Sequence, residues 1–256
     1  MKNALIGYTG FVGGNLLQQY KFDYLYNSKN INDAKGKHYN KLFISGVPAV
    51  KWWANQHPID DWKNINSLIE ILKTVTAEEV ILISTVDVYP NPIDFDEDGK
   101  LSRDVGQPYG LHRLKFEDFI NNNFKNVYTL RLPGLFGQGL KKNIIYDFLN
   151  NNQIEKIDTR SSFQFYCLNC LKSDISRMIE NDIRLLNAAV EPVPTFDIAK
   201  MALGYTYENI TNTLPPRYDI KSKYSSLWGG QNGYLYSKQN CLIELEKFIG
   251  DHKRED

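Results

Sequence analysis

Apolar residues along this chain bunch into short runs and then spread out at helical spacing, and the alternation repeats. The run Ala4-Leu5-Ile6 is followed by apolar positions at Phe11, Leu16, Leu17 and Tyr20. Val80-Ile81-Leu82-Ile83 and Val127-Tyr128-Thr129-Leu130 are unbroken, as in strands covered on both faces. The pattern predicts strands near 3–7, 23–27, 41–45, 79–85 and 126–131, and helices near 11–20, 59–76, 107–123, 171–182 and 241–250. Such alternation implies α/β architecture: a Rossmann-type doubly wound parallel sheet with helices on both faces. The stretch 31–41 is short and polar, too short for a full crossover helix. Asparagines at 121–123 and 150–152 end helical stretches, because asparagine tolerates the left-handed conformation. After residue 134 the pattern becomes irregular, with Pro192, Pro194, Pro215, Pro216 and the pair Gly229-Gly230. A dinucleotide-binding domain is therefore expected over 1–133, with 163–182 returning to it. A smaller substrate-binding C-terminal lobe is expected over 134–256, above the carboxyl ends of the strands.

Composition narrows the function classes. The 256 residues are enough to bury a sizeable core. With 30 basic and 30 acidic residues the net charge is zero, so no field favours nucleic acid or an anionic membrane. No apolar run approaches ~20 residues, and with the first strand beginning at residue 3 no signal peptide is expected. A cytoplasmic location is the expectation. Cys167 and Cys170 have metal-ligand spacing, but no second pair and no nearby histidine complete a site. With Cys241 they are expected to be buried free thiols, and no metal is expected.

Candidate chemistry starts at Gly7, Gly10 and Gly13, placed between the first strand and the first helix. Gly7 permits a tight turn, Gly10 lets a pyrophosphate approach the backbone, and Gly13 lets the helix pack close to the strand. The first helical residues, Phe11 and Val12, bring free N–H groups and the positive end of the helix dipole. Cofactor choice is read from the end of the second strand. An acid there binds the ribose hydroxyls of NAD, whereas Asn27-Ser28-Lys29 offers donors and a cation suited to the 2′-phosphate of NADP. NADP is the expected cofactor, and NAD stays open.

A second constellation lies further on. The strand at 80–83 ends in Ser84-Thr85-Val86-Asp87-Val88-Tyr89, and Tyr109-Gly-Leu-His-Arg113 opens a helix. Tyr109 and Arg113 are four residues apart, about 40° round a helix, and share a face. With the glycine triplet, Arg131-Leu-Pro-Gly-Leu-Phe-Gly137, Phe163-Gln-Phe-Tyr166 and Glu191-Pro-Val-Pro-Thr195, these motifs run in order over roughly residues 3–200. In that order the chain resembles the extended short-chain dehydrogenase/reductases, the nucleotide-sugar epimerases, dehydratases and reductases.

The resemblance implies that Thr85 orients the substrate oxygen and that Tyr109 moves a proton while a nicotinamide moves hydride. Poising a tyrosine near pH 7 from its usual ~10 requires about 4 kcal/mol. A cation at ~4 Å and an effective dielectric of ~20 supplies energy of that order. The family's cation is usually lysine. Arg113 stands in its place here, and arginine is not an equivalent of lysine. Lys115 faces about 120° away from Tyr109 and cannot stand in. The resemblance also implies that Gly46, Val47, Pro48 and Ala49 pass under the pyrophosphate and that Pro133 lines the cofactor site. It places Arg160, Phe163, Gln164, Phe165 and Tyr166 near a substrate nucleotide, with Arg217 and 221–236 over the cleft. Val86 replaces the first acid of the sugar dehydratases, which argues against dehydration. Asp87, on extended backbone beside Thr85, either touches substrate or caps a turn, and His112 is expected as a solvated helix histidine. Together these imply an NAD(P)-dependent oxidoreductase or epimerase acting on a sugar nucleotide, without nucleic acid or membrane partners and with a homodimer left open. The alternative is a non-catalytic dinucleotide-binding sensor or scaffold, and the two are separated by where the Arg113 guanidinium points.

Overall fold

A computed structural model describes residues 2–255. In chain order the elements begin with β1 (Asn3–Ile6), α1 (Phe11–Gln19), β2 (Tyr24–Tyr26) and β3 (His38–Ile44). They continue through α2 (Lys51–Gln56), α3 (Pro58–Leu72), β4 (Thr76–Thr85), α4 (Pro108–Asn123) and β5 (Val127–Leu132). Next come β6 (Gly134–Phe136), α5 (Ile144–Leu149), β7 (Ser162–Phe163), β8 (Phe165–Cys167), α6 (Leu171–Glu180) and β9 (Leu185–Asn187). The chain closes with β10 (Val193–Pro194), α7 (Thr195–Leu203) and α8 (Lys238–Glu255).

The chain divides into two compact units. The first comprises 1–91, 99–131 and 169–186, and the second 92–98, 132–168 and 187–256. Where the sequence suggests one division at 133 with 163–182 returning, the division falls after 131, the returning piece is 169–186, and 92–98 goes to the second unit.

The first unit is built on a six-stranded sheet in the order β2-β1-β3-β4-β5-β9. The pairings of β1 with β2, β1 with β3 and β3 with β4 are parallel. Successive residues point to opposite faces of a strand. Ala4, Ile6, Leu42, Ile44, Val80 and Leu82 therefore pack with Ile65, Ile69 and Leu72 of α3 and Phe116 and Ile120 of α4. Leu5, Phe43 and Ile81 are also buried, and Phe43 meets the rings of Tyr20 and Phe22. Burial on both faces is why these strands carry no polar alternation. Between β2 and β3 only one 3-10 turn forms, Ile31–Ala34, in keeping with the short polar stretch there.

Local sequence misled in three places. The helix expected over 59–76 ends at Leu72, because the β-branched run Thr74-Val75-Thr76 enters β4, where Thr76 pairs with His38. The short helix α2 was not legible. Leu17, expected on the buried face of α1, is exposed, and Asn15 is buried instead.

The second unit holds two small sheets, β6 with β8 in parallel and β7 with β10 antiparallel. The segment 92–98 joins it through Glu97, whose carboxylate accepts from Asn187 N, Ser222 Oγ and Lys223 N. No helix among the described residues is long and apolar enough to cross a membrane.

Candidate active site

The order β2-β1-β3 means that the chain reverses direction of travel across the sheet between β1 and β3. A crevice opens beyond the strand ends at such a switch point. Gly7 follows β1 there with φ +92°, and a Cβ on it would lie 2.6 Å from Gly46 Cα, just past β3. A Cβ on Gly13 would lie 2.0 Å from Gly7 O, so α1 packs against the turn only because position 13 has no side chain. A Cβ on Gly10 would meet a single neighbour, Gly7 O at 3.3 Å. The space beside Gly10 is open, and α1 starts there with no side-chain cap. The first N–H groups of a helix have no intrahelical acceptors, so those of Phe11, Val12 and Gly13 suit an anionic ligand.

At the end of β2, Asn27 Oδ1 accepts from Lys29 N at 2.9 Å and Asn27 Nδ2 donates to Tyr8 Oη at 3.1 Å. Asn27 thus ties this corner to the glycine turn, and Ser28 and Lys29 stand exposed beside it. Val47 is half-buried after β3, and Pro133 falls in the second unit.

The end of β4 and the start of α4 meet closely. A Cβ on Gly110 would lie 1.9 Å from Asp87 O, so only glycine lets the helix touch the turn that follows Thr85. Tyr109 is buried, and the Thr85 hydroxyl lies close enough to its phenol to pull its pKa down. Thr85 Oγ1 also accepts from Asp87 N at 3.1 Å. Residues 86–88 form a 3-10 turn, which corrects the expectation that Asp87 continues an extended backbone. Asp87 instead binds Lys51 Nζ at 2.7 Å, and Lys51 sits at the start of α2. One turn along α2, Asn55 Oδ1 accepts from Tyr109 N at 3.0 Å.

Arg113 is buried against Tyr109, its guanidinium carbon 4.0 Å from the ring centroid. Its Nη1 donates to Asp61 Oδ2 at 2.6 Å and to Tyr109 O at 3.2 Å. Its Nη2 donates to Asp61 Oδ1 at 2.9 Å and to Pro48 O. Four of five guanidinium donors are thereby committed to the protein. His112 Nδ1 lies 2.7 Å from Asp61 Oδ2, and its ring is largely buried, which corrects the expected solvated histidine. Burial opposes the Asp61 charge, but the hydrogen bonds and charges of Arg113 and His112 prevail and hold its pKa below the ordinary 3.8.

Tyr109 responds differently from the sequence expectation. Burial raises its pKa above the ordinary 10.0. Arg113 pulls it down, Asp87 pushes it up, and Lys51 and the Thr85 hydrogen bond pull it down without winning. Arg113, already neutralised by Asp61, gives the phenol less than a free cation would.

One turn further on the same face, Glu117 is buried with Arg131 of β5 in a two-pronged pair, Nε–Oε1 3.0 Å and Nη2–Oε2 2.6 Å. Arg131 Nη1 donates to Tyr89 Oη at 2.9 Å, and Ser84 Oγ donates to Glu117 Oε1 at 2.5 Å.

In the second unit several of the residues that the resemblance puts near a substrate nucleotide are bonded within the protein. Gln164 is buried and donates to Val190 O and Ile220 O while accepting from Ile220 N. Phe165 and Tyr166 are buried, and Arg160 forks onto Asp158, which also holds Thr211 N. Cys167 and Cys241 are buried, Cys170 is partly so, all three are free thiols, and no metal-binding cluster occurs among the described residues.

No family model and no curated protein matches the chain by sequence. Its fold does match solved structures. A dTDP-4-dehydrorhamnose reductase from Clostridium acetobutylicum superposes with TM-score 0.73 at 14% identity, covering 99% of this chain and 100% of that one. A dTDP-4-dehydrorhamnose reductase from Bacillus anthracis, solved with NADP, gives TM-score 0.73 at 14% identity over 98% and 99%. A UDP-glucose 4-epimerase from Thermotoga maritima, solved with UDP-glucose, gives 0.69 at 12% identity over 100% and 99%. The chain thus has the Rossmann-type fold found in nucleotide-sugar reductases and epimerases over its whole length.

Proposed function

We propose that this protein is an NAD(P)-dependent oxidoreductase or epimerase acting on a nucleotide-activated sugar. The observation that carries the reading is the juxtaposition of Thr85, at the end of β4, with Tyr109, at the start of α4, in the same unit as an uncapped glycine turn. The neighbours that bind NADP and UDP-glucose are consistent with it.

The residues present fit a dinucleotide at the turn: the space beside Gly10 and the free N–H groups of residues 11–13 suit a pyrophosphate. Ser28 and Lys29, with no acid at the end of β2, suit a 2′-phosphate and favour NADP over NAD. Bound there, a nicotinamide would supply or accept hydride. Thr85 would orient the substrate oxygen and Tyr109 would exchange a proton with it, so that a hydroxyl loses H⁺ and hydride together, or a carbonyl gains both. Arg113 keeps only its Nε–H for a ribose, since its other four donors are committed to Asp61, Pro48 O and Tyr109 O.

That same commitment favours a second reading, a non-catalytic dinucleotide-binding protein. Calorimetry with NADPH and NADH, followed by a screen of dTDP- and UDP-sugars for change in nicotinamide absorbance, separates them. Binding with turnover supports the enzyme. Binding with none across the screen supports the second reading, and binding of neither dinucleotide defeats both.

A further inference from the structure

Two cations pull the pKa of the Tyr109 phenol down, Arg113 more strongly than Lys51, and they are placed very differently. The Arg113 side chain is 6% exposed, and its partner Asp61 is 1% exposed. The Lys51 side chain is 43% exposed, and its partner Asp87 is 20% exposed. A buried two-pronged pair cannot open without leaving an unpaired charge in the protein, whereas a half-exposed lysine can exchange its partner for water or a ligand at little cost. The backbone brings Lys51 to this place. Lys51 and Asn55 are one turn apart on α2, and while Asn55 holds Tyr109 N, Lys51 reaches Asp87, the residue whose N–H holds the Thr85 hydroxyl. One face of α2 therefore grips both ends of the Thr85–Tyr109 pair.

We propose that the working cation of this site is Lys51, on α2, and not Arg113, which fixes the position of the Tyr109 ring. The inference rests on the reading of Tyr109 as the proton-transfer group and extends it. Arg113 occupies the position four residues after the tyrosine and has become a structural brace between α4, α3 and the loop after β3. The adjustable charge comes instead from another element. Four groups set the field at the phenol: Arg113 on α4, Asp87 in the 86–88 turn, Lys51 on α2, and the Thr85 hydroxyl at the end of β4. Asp61 and His112 act through Arg113.

The arrangement makes a signed demand. Lys51→Met removes a positive charge and keeps the negative charge of Asp87, so Tyr109 should titrate at higher pH than in the parent. Asp87→Asn frees Lys51 and removes a negative charge, so Tyr109 should titrate at lower pH. Lys51→Arg should restore the parent value. A merely structural role for α2 would not move the two variants in opposite directions. The measurement is NMR of the chain carrying carbon-13 at the tyrosine ring Cζ, with the Tyr109 resonance assigned by its loss in Tyr109→Phe. It needs no substrate. On a substrate found by the screen, Lys51→Met should lower kcat about tenfold or more with a smaller change in KM, and shift the pH profile alkaline. An unmoved Tyr109 titration in Lys51→Met, or movement of both variants in one direction, overturns the proposal. Opposite movements with no sugar turned over by the parent protein would uphold the Lys51 placement and count against the enzymatic reading.

Discussion

Replacing Arg113 by methionine is the most informative single perturbation of the first unit. The arginine makes four hydrogen bonds, two of them to a carboxylate that is almost entirely shielded from water. Methionine keeps much of the length and packing on Tyr109 but leaves Asp61 with His112 as its remaining ionic partner. Breaking a buried pair from one side costs about 3–5 kcal/mol. At roughly 2–4 °C per kcal/mol for a chain of this size, the melting temperature should fall by about 6–20 °C at neutral pH. The pH dependence has a definite sign. The Asp61 pKa is depressed below 3.8, so its contribution is fully present above that value and is lost as the pH falls through the lower folded-state value. The gap between parent and variant should therefore be largest near neutrality and narrow below about pH 4. Scanning calorimetry from acid to neutral pH measures it. A companion Arg113→Met/Asp61→Leu variant should recover most of the loss, because a buried pair replaced on both sides by apolar groups is often neutral. A neutral-pH melting temperature within a degree or two of the parent, or a double variant no better than the single, would refute the account of Arg113 as a buried brace.

Other outcomes follow from the same structure. Gly110→Ala should destabilise the fold by about 1–3 kcal/mol despite alanine's ~1 kcal/mol helix advantage, because its methyl would lie 1.9 Å from Asp87 O; denaturant melts would show it. Tyr109→Phe should abolish turnover on any sugar found while leaving dinucleotide affinity nearly unchanged, as calorimetry and steady-state assay together would report. Lys29→Ala should weaken NADPH more than NADH, and equal affinities of the parent protein for both would remove the basis for preferring NADP. Gln164→Leu should cost about 2–4 kcal/mol in thermal melts, since it strands buried partners at Val190 O, Ile220 O and Ile220 N.

The framework was readable because its signals are local. The apolar runs at 4–6, 80–83 and 127–130 and the glycines at 7, 10 and 13 declare strand, turn and helix within a few residues. The four-residue spacing of Tyr109 and Arg113 puts them on one face of α4, where the guanidinium lies over the ring. What escaped was the wiring between distant positions. Asp61 lies 52 residues from Arg113, and nothing near Asp61 marks it as the partner of a buried arginine. Lys51 and Asn55 sit on a six-residue helix whose Lys-Trp-Trp-Ala-Asn-Gln sequence has no pattern long enough to show periodicity. His112 departs from the expected solvated histidine because its position on α4 faces Asp61 on α3, and a helix-helix contact is invisible to a single-helix projection. The resemblance puts Gln164, Phe165 and Tyr166 near a ligand, and their burial shows that a matching motif does not fix which way a side chain points.

The inner face of α4 bears Tyr109, Arg113 and Glu117 at successive turns, and two of the three carry full charges locked in forked bonds. A helix seated only on leucine and isoleucine can roll slightly and repack. At the ~5–6 Å outer radius of a helix, a roll of about 20° carries a head group about 2 Å, enough to break a hydrogen bond. On α4 such a roll would break the Asp61 fork and the Arg131 fork together. The helix is seated like a keyed shaft, with one permitted angle, and Tyr109 at its end inherits that angle. Aim at this site is thus set by charge geometry several residues away, and softening either fork should blur the tyrosine's orientation before it unfolds the protein.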